Sequence, residues 1–410
     1  MSLIKPFRAL RPAPGRAAEV LAPPYDVLSS AEARQRAAGK PWSFLHVSKA
    51  EIDLPPASDP YDAAVYAKAA ENLRRMIAEG VLKRDQTPCY YVYRLTWRGH
   101  VETGFAAVAA IAAYAANRIR RHEHTAPAKE DDRVRQIEAI NAQTGPVMLA
   151  YPPAPDIDAM LAQAAAGAPL VDVTADDGVR HQLWVIDDAP TIAALTGAVE
   201  ALPAVYIADG HHRSAAAERV AKARGGEGAH SYFLAVLFPQ AEMTILDYNR
   251  VLRDLNGRTA EELLAELRQR ATAVPSERPV RPAAANEIGM FLAGRWYRLT
   301  LKRAREDNKA QAADPVARLP VTLLTRNIIE PLFGITDQRR DKRIDFVGGG
   351  RGLDELERLV NSGKMAVAFA LYPTQMRDLM AVADAGAIMP PKSTWFEPKL
   401  ADGMVSHVLD

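Results

Sequence analysis

Val205-Tyr206-Ile207-Ala208-Asp209-Gly210-His211-His212-Arg213, followed by the alanine-rich run from Ser214 to Arg224, is the stretch around which the chain is organised. Its four apolar or aromatic residues read as a short buried strand and Asp209-Gly210 as a turn. Ala216, Val220 and Ala223 mark one face of an amphipathic helix that follows. Strand, turn and helix N-terminus meet at five polar or glycine residues. First-turn N–H groups lack intrahelical partners, the helix dipole favours negative charge there, and Gly210 lets a ligand approach the backbone. Two imidazoles and a guanidinium add donors, and a guanidinium can grip a phosphate with two parallel hydrogen bonds. Asp209 is the odd member, because a carboxylate repels phosphate unless it binds a metal, takes a proton or orients its neighbours. The plain alternative stays open: Asp caps helices, Gly turns corners, and His-His can be a partly buried polar pair.

Upstream, residues 118–133 form a dense ionisable run, Arg-Ile-Arg-Arg-His-Glu-His-Thr-Ala-Pro-Ala-Lys-Glu-Asp-Asp-Arg. This run and the first stretch together hold four of the nine histidines. If residues 121–125 are extended, His122 and His124 share one face and Glu123 takes the other. His-x-His on a strand is a workable metal-ligand spacing. A carboxylate beside basic residues can instead serve as a general base, and a solvated loop leading into a helix N-terminus explains the same run without chemistry.

The remainder reads as α/β with mixed connections. Residues 41–47 predict a strand and 61–79 a helix, and Ser29 with Glu32 gives a capping-box start. Residues 89–97 and 101–113 predict paired strands, and 147–151 and 232–238 further buried ones. Aromatics at Tyr25, Trp42 and Phe44 read as core. A proline-rich exit at 275–282 suggests two regions, 1–253 with both polar motifs and 254–410. In the second, Gly348-Gly349-Gly350-Arg351-Gly352 fits neither nucleotide-loop order and reads as a turn. Lys392, Ser393, Thr394 and Lys399 make a donor-rich stretch suited to closing over a phosphate or to a surface turn.

Composition narrows the classes. Lys plus Arg number 51 against 50 Asp plus Glu, with 48% hydrophobic residues. The near balance argues against nucleic acid and acidic membranes as partners. One cysteine, Cys89, rules out an intrachain disulfide framework and a cysteine-cluster metal site. The N-terminus lacks the apolar core of a signal peptide, and no stretch reaches the ~20 apolar residues of a membrane helix. The expectation is a cytoplasmic protein acting on a small molecule, as a monomer or homo-oligomer.

With these motifs in view the chain resembles domain-of-unknown-function family 1015 nearly end to end. The resemblance is carried by Pro6-Phe7-Arg8, Ala22-Pro23-Pro24-Tyr25-Asp26-Val27, Ser43-Phe44-Leu45-His46-Val47, Arg121-His122-Glu123-His124-Thr125 with Lys129 and Asp132-Arg133, Ala208 to Arg213, and Met389-Pro390-Pro391-Lys392-Ser393-Thr394 with Pro398-Lys399. Tyr248-Asn249-Arg250 departs from the Thr-His-Arg of many relatives. More distantly, Asp209 to Arg213 is similar to the phosphate-binding turn of the ParB and sulfiredoxin superfamily, above all to its free-serine kinases.

That resemblance implies a ParB/sulfiredoxin-like phosphate-binding core with added N-terminal and C-terminal α/β regions. It also implies phosphate binding by Gly210, His211, His212 and Arg213, with Asp209 catalytic. Glu123 is added as a base and His211 as a catalytic partner from their neighbourhood, and Lys129, Arg133, Lys392, Ser393 and Thr394 as further phosphate donors. The leading expectation is a kinase moving a phosphoryl group from ATP, ADP or pyrophosphate to the hydroxyl of free L-serine or a similar metabolite, with Mg2+ on Asp209 or the phosphates. A ParB-like nucleotide switch without turnover is a second expectation. A metal-dependent hydrolase using His122, His124, His211 and Asp209 is the third.

Overall fold

The computed structural model describes residues 2–302 and 314–410. It forms two compact units, Met1–Met243 with Pro398–Asp410, and Thr244–Glu397. The second unit is thus inserted into the sequence of the first. The final segment, grouped from sequence with the C-terminal region, belongs to the N-terminal unit.

The first unit is built on a nine-stranded mixed sheet in the order Ile119–Arg120, Val205–Asp209, Val147–Tyr151, Tyr232–Pro239, His100–Ala110, Tyr90–Trp97, Arg180–Ile186, Val171–Thr174, with Ile4–Lys5 also pairing to His100–Ala110. Most neighbours are antiparallel, but Val205–Asp209 runs parallel to Ile119–Arg120 and Tyr232–Pro239 parallel to Val147–Tyr151. Mixed pairing with helices against the sheet is the expected α/β class. The central strands are buried along their whole length, which is why they read as continuous apolar runs rather than alternating ones.

Two helices pack beside the motif. Pro127–Ile140 starts with proline at its first position and ends at Asn141 in the left-handed region (φ 50°). His211–Arg224 meets it through Val134, Ile137, Ala216, Val220 and Leu409, the small alanines letting the two axes approach. Arg219 bridges to Glu130 and Asp131, and Arg224 to Glu138. Each exposed pair contributes little, roughly 0–1 kcal/mol, but together they hold one register.

The run at 41–47 is not a strand. Leu45–Ser48 is a single helical turn because Phe44, Leu45 and Val47 all enter a core formed with Val20, Val65, Ala69 and Leu73. A short apolar run fits either period, and packing decided it. Residues 121–125 are likewise irregular rather than extended.

The second unit holds a six-stranded, wholly antiparallel sheet in the order Ala271–Ser276, Arg295–Leu301, Glu287–Leu292, Val367–Leu371, Tyr248–Leu252, Ile344–Gly348. The helix Leu353–Asn361 covers it through Leu353 and Leu356. Among the described residues no helix is long and apolar enough to cross a membrane.

Candidate functional site

Val205–Asp209 ends in an irregularity, its register against Val147–Tyr151 shifting between Ile207 and Asp209. A bulge of this kind re-aims the residue that follows it. Gly210 then takes φ +102°, and a Cβ there would lie 3.1 Å from the Arg213 guanidinium carbon and 3.2 Å from Val147 Cα. Both the backbone and the space require glycine. The helix starts at His211, with Arg213 and Ser214 donating their backbone N–H groups to the Gly210 carbonyl.

Asp209 is half-buried and ringed by cations. Arg213 Nη2 donates to its Oδ2 at 2.9 Å, and Lys399 Nζ stands 3.7 Å from the same oxygen. Burial pushes its carboxyl up, but Lys399, Arg213 and His211 outweigh that and hold it well below the usual carboxylate range. The other Arg213 terminal nitrogen, Nη1, donates to the Pro146 carbonyl, so the guanidinium is fixed in orientation. A carboxylate so committed is a poor proton acceptor, and it fits Mg2+ poorly because two cations already occupy its field.

The irregular segment 121–125 brings Glu123 to this helix end. Glu123 Oε2 lies 3.8 Å from His211 Nδ1. The rings of His122 and His211 meet edge to face with centroids 4.5 Å apart, and the His122 backbone N–H points at His211 Nε2 at 3.5 Å. Burial, then the neighbouring His122, drives the His211 pKa far below its ordinary value. Burial alone is the main cause of the fall at His122, to about 4. Both imidazoles are therefore neutral at pH 7. His122 is fully buried, and beyond a weak approach to the Ile207 backbone neither of its ring nitrogens has a hydrogen-bond partner. His122, Glu123 and His211 offer ligand atoms within 4.8 Å of one another, a nitrogen-rich set that suits a transition ion better than Mg2+.

The other expected residues fall differently. His212 accepts the Ala126 backbone N–H at 3.0 Å, tying the motif to the start of the neighbouring helix. His124 is exposed and is not part of the histidine–glutamate group, because the irregular backbone removes the alternation that would have paired it with His122. Lys129 is exposed on the first turn of Pro127–Ile140. Arg133 donates twice to Asp132, at 2.9 and 2.7 Å, and its guanidinium carbon lies 3.7 Å from the Tyr25 ring centroid. Lys392, Ser393 and Thr394 lie in the second unit. There Ser393 Oγ donates to the Pro390 carbonyl and the Ser393 carbonyl accepts from Thr374.

Three groups were missed. Tyr25 was read as core, yet it lines a pocket with Ser48, Arg133, Arg213 and Asp402. Asp402 is buried and carries a carboxyl raised to about 7, chiefly by burial and against the pull of Arg213. Its backbone exchanges hydrogen bonds with Ala22. Gly403 beside it takes φ +84° against the Phe44 ring, where a Cβ would come within 2.9 Å. The only sequence signal was the Asp-Gly dipeptide, which reads as any turn.

A family model described as "Protein of unknown function (DUF1015)" matches residues 4–322, and the chain belongs to that family. No curated protein matches the sequence. Among solved structures, "SbnI with C-terminal truncation from Staphylococcus aureus" is 12% identical over 73% of this chain and 86% of that one, with a TM-score of 0.37. A "Free serine kinase in complex with AMP" is 11% identical over 68% and 84%, with a TM-score of 0.33. A conserved hypothetical protein from Pyrococcus furiosus is 12% identical over 70% and 90%, with a TM-score of 0.32. These are distant similarities.

Proposed function

For this member of the family we propose a small-molecule phosphotransferase that moves a phosphoryl group from ATP, ADP or pyrophosphate to the hydroxyl of free L-serine or a similar metabolite. The observation that carries the reading is that Glu123 arrives from a separate stretch of chain to stand 3.8 Å from His211, at a glycine-opened helix N-terminus. The helix N-terminus, Arg213 and Lys399 supply positive potential for phosphate oxygens, and phosphoryl transfer is mostly positioning and charge stabilisation. The acceptor hydroxyl oxygen forms the new bond to phosphorus as the bond to the bridging oxygen breaks. The leaving phosphate takes that electron pair, and the hydroxyl proton goes to Glu123. Neutral His211 holds the Glu123 carboxylate in place. Asp209, too acidic to take a proton, fixes Arg213 and Lys399 and is a positioning residue.

The test is a transfer assay with each donor, Mg2+ and L-serine, read as phosphoserine, in wild type and Glu123→Gln. Transfer in wild type with a loss of roughly 100-fold or more in the variant, the scale of a lost general base, is expected. Equal rates in the two proteins would remove Glu123 from the mechanism. No transfer from any donor would remove the reading.

One observation favours a second reading, a metal-dependent hydrolase: the ligand-capable set His122, Glu123 and His211. Stoichiometric zinc, iron or manganese in protein purified without chelator would favour it over the first.

A further inference from the structure

The pocket lined by Tyr25, Ser48, Arg133, Arg213 and Asp402 carries chemistry that phosphate binding does not use. It lies within the first unit, between the Pro127–Ile140 helix, the 142–147 segment, the Tyr25 turn and the returning C-terminal segment. Its polar lining is of both signs. On one side stands Arg133, its side chain 13% exposed and its guanidinium carbon 3.7 Å from the Tyr25 ring centroid, with Nε and Nη2 given to Asp132. Its remaining terminal nitrogen is Nη1. On another stands Asp402, 2% exposed, whose Oδ1 meets no hydrogen-bond partner. Ser48, 7% exposed, sets its hydroxyl beside that carboxyl, where it opposes the rise of the Asp402 pKa. The walls behind are apolar, from Ile137, Val147, Phe233 and Leu234.

A buried carboxyl oxygen left unpaired in a pocket is costly unless a ligand or solvent completes it. A phosphate would be repelled by Asp402 and by Asp209 behind Arg213. A purely cationic ligand would face Arg133 and Arg213. The neutral ligand that satisfies both ends is a small zwitterion.

We propose that this pocket binds a hydroxy α-amino acid, its ammonium on Asp402 and its carboxylate on Arg133 and Tyr25. Arg213 is shared between the pocket and the phosphate motif, so a short side chain directs its hydroxyl toward the transferred group. The assignment rests on the phosphotransferase reading in taking the occupant to be the acceptor. The chemistry of the pocket stands without it.

The test is calorimetric titration of the full chain, without nucleotide, with L-serine, L-threonine and L-homoserine, and with glycerate and ethanolamine as analogues lacking the ammonium or the carboxylate. At least one amino acid should bind, and each analogue at least about tenfold more weakly, the scale of one lost charge-assisted contact. Asp402→Asn, close to isosteric, should weaken the amino acid but not glycerate, and Arg133→Lys should retain part of the affinity. Glycerate binding as tightly as serine, or no binding by any of the three amino acids, would overturn the proposal. Amino-acid binding with no transfer from any donor would support the pocket and overturn the phosphotransferase. Transfer to glycerate as fast as to serine would overturn the pocket and leave the phosphotransferase standing.

Discussion

Each unit buries a guanidinium, and the two are satisfied in opposite ways. In the first, Arg213 lies among acids. Burial pulls its pKa down, but Asp209, Asp26, Tyr25 and Asp402 more than restore it. In the second, Arg250 is wholly buried and gives its donors to neutral oxygens: the carbonyls of Tyr248 at 2.7 Å, Lys392 at 3.0 Å and Pro391 at 3.0 Å, and Gln338 Oε1 at 3.3 Å. Burial pushes it down to about 9, with Tyr248 opposing. The Phe346 ring, 4.8 Å from its guanidinium carbon, adds a cation–π contact. A cation among carboxylates can exchange one anion for another, as a binding site must. A cation among carbonyls is a clamp, here for the loop that carries Lys392 to Thr394.

The sharpest way to break this contrast is Arg250→Met. The three carbonyls lose a buried donor, and a loss of roughly 3–5 kcal/mol is expected, as for other broken buried charge networks. It would be read as a lower midpoint in chemical denaturation. An unchanged midpoint would mean that Arg250 is no clamp. Next is Asp209→Ala, which should cut turnover by about 100-fold, or about 2.7 kcal/mol of transition-state stabilisation, because Arg213 and Lys399 lose the carboxylate that positions them, with the melting temperature nearly kept. A large loss of Tm there would make Arg213 as structural as Arg250.

Gly210→Ala should come third. It forces a side chain into a left-handed backbone 3.1 Å from the Arg213 guanidinium, costing about 1–3 kcal/mol. The shift in Tm should be accompanied by slower transfer, because Arg213 must move.

The last prediction separates the surroundings of the two arginines by pH. A carboxyl raised from 3.8 to about 7 in the folded state stabilises fully below pH 3.8, and that contribution is lost as pH rises through 7. The Tm of Asp402→Asn minus that of wild type should therefore grow between pH 4 and 7 and level off above. A flat difference across that range would place Asp402 in a more polar setting than its burial indicates.

The strand–turn–helix of the Asp209–Arg213 stretch was legible because its parts are contiguous. Strand, turn, glycine and helix start occupy residues 205–213, and one hydrophobic run with one Asp-Gly announces them. Glu123 was legible as a carboxylate in a dense ionisable run, although its partner was not. His124 was misplaced because the sequence offers no sign that residues 121–125 forgo extended structure. Tyr25, Ser48 and Asp402 were not legible as a group. They come from three separate stretches, the last hundreds of residues after the first two, each with an ordinary local explanation: an aromatic after two prolines, a serine after an apolar stretch, an Asp-Gly turn. Only tertiary packing joins them, and the insertion of the second unit between Met243 and Pro398 hides the connection further.

That insertion also sets an order of events during synthesis. Lys399 and Asp402 leave the ribosome only after every residue from Thr244 to Glu397 has been made. The nascent first unit therefore lacks both the lysine beside Asp209 and the acid facing Arg133 until translation has passed the inserted unit. A product truncated between residues 213 and 398 carries the whole Asp209–Arg213 motif and still lacks those two groups.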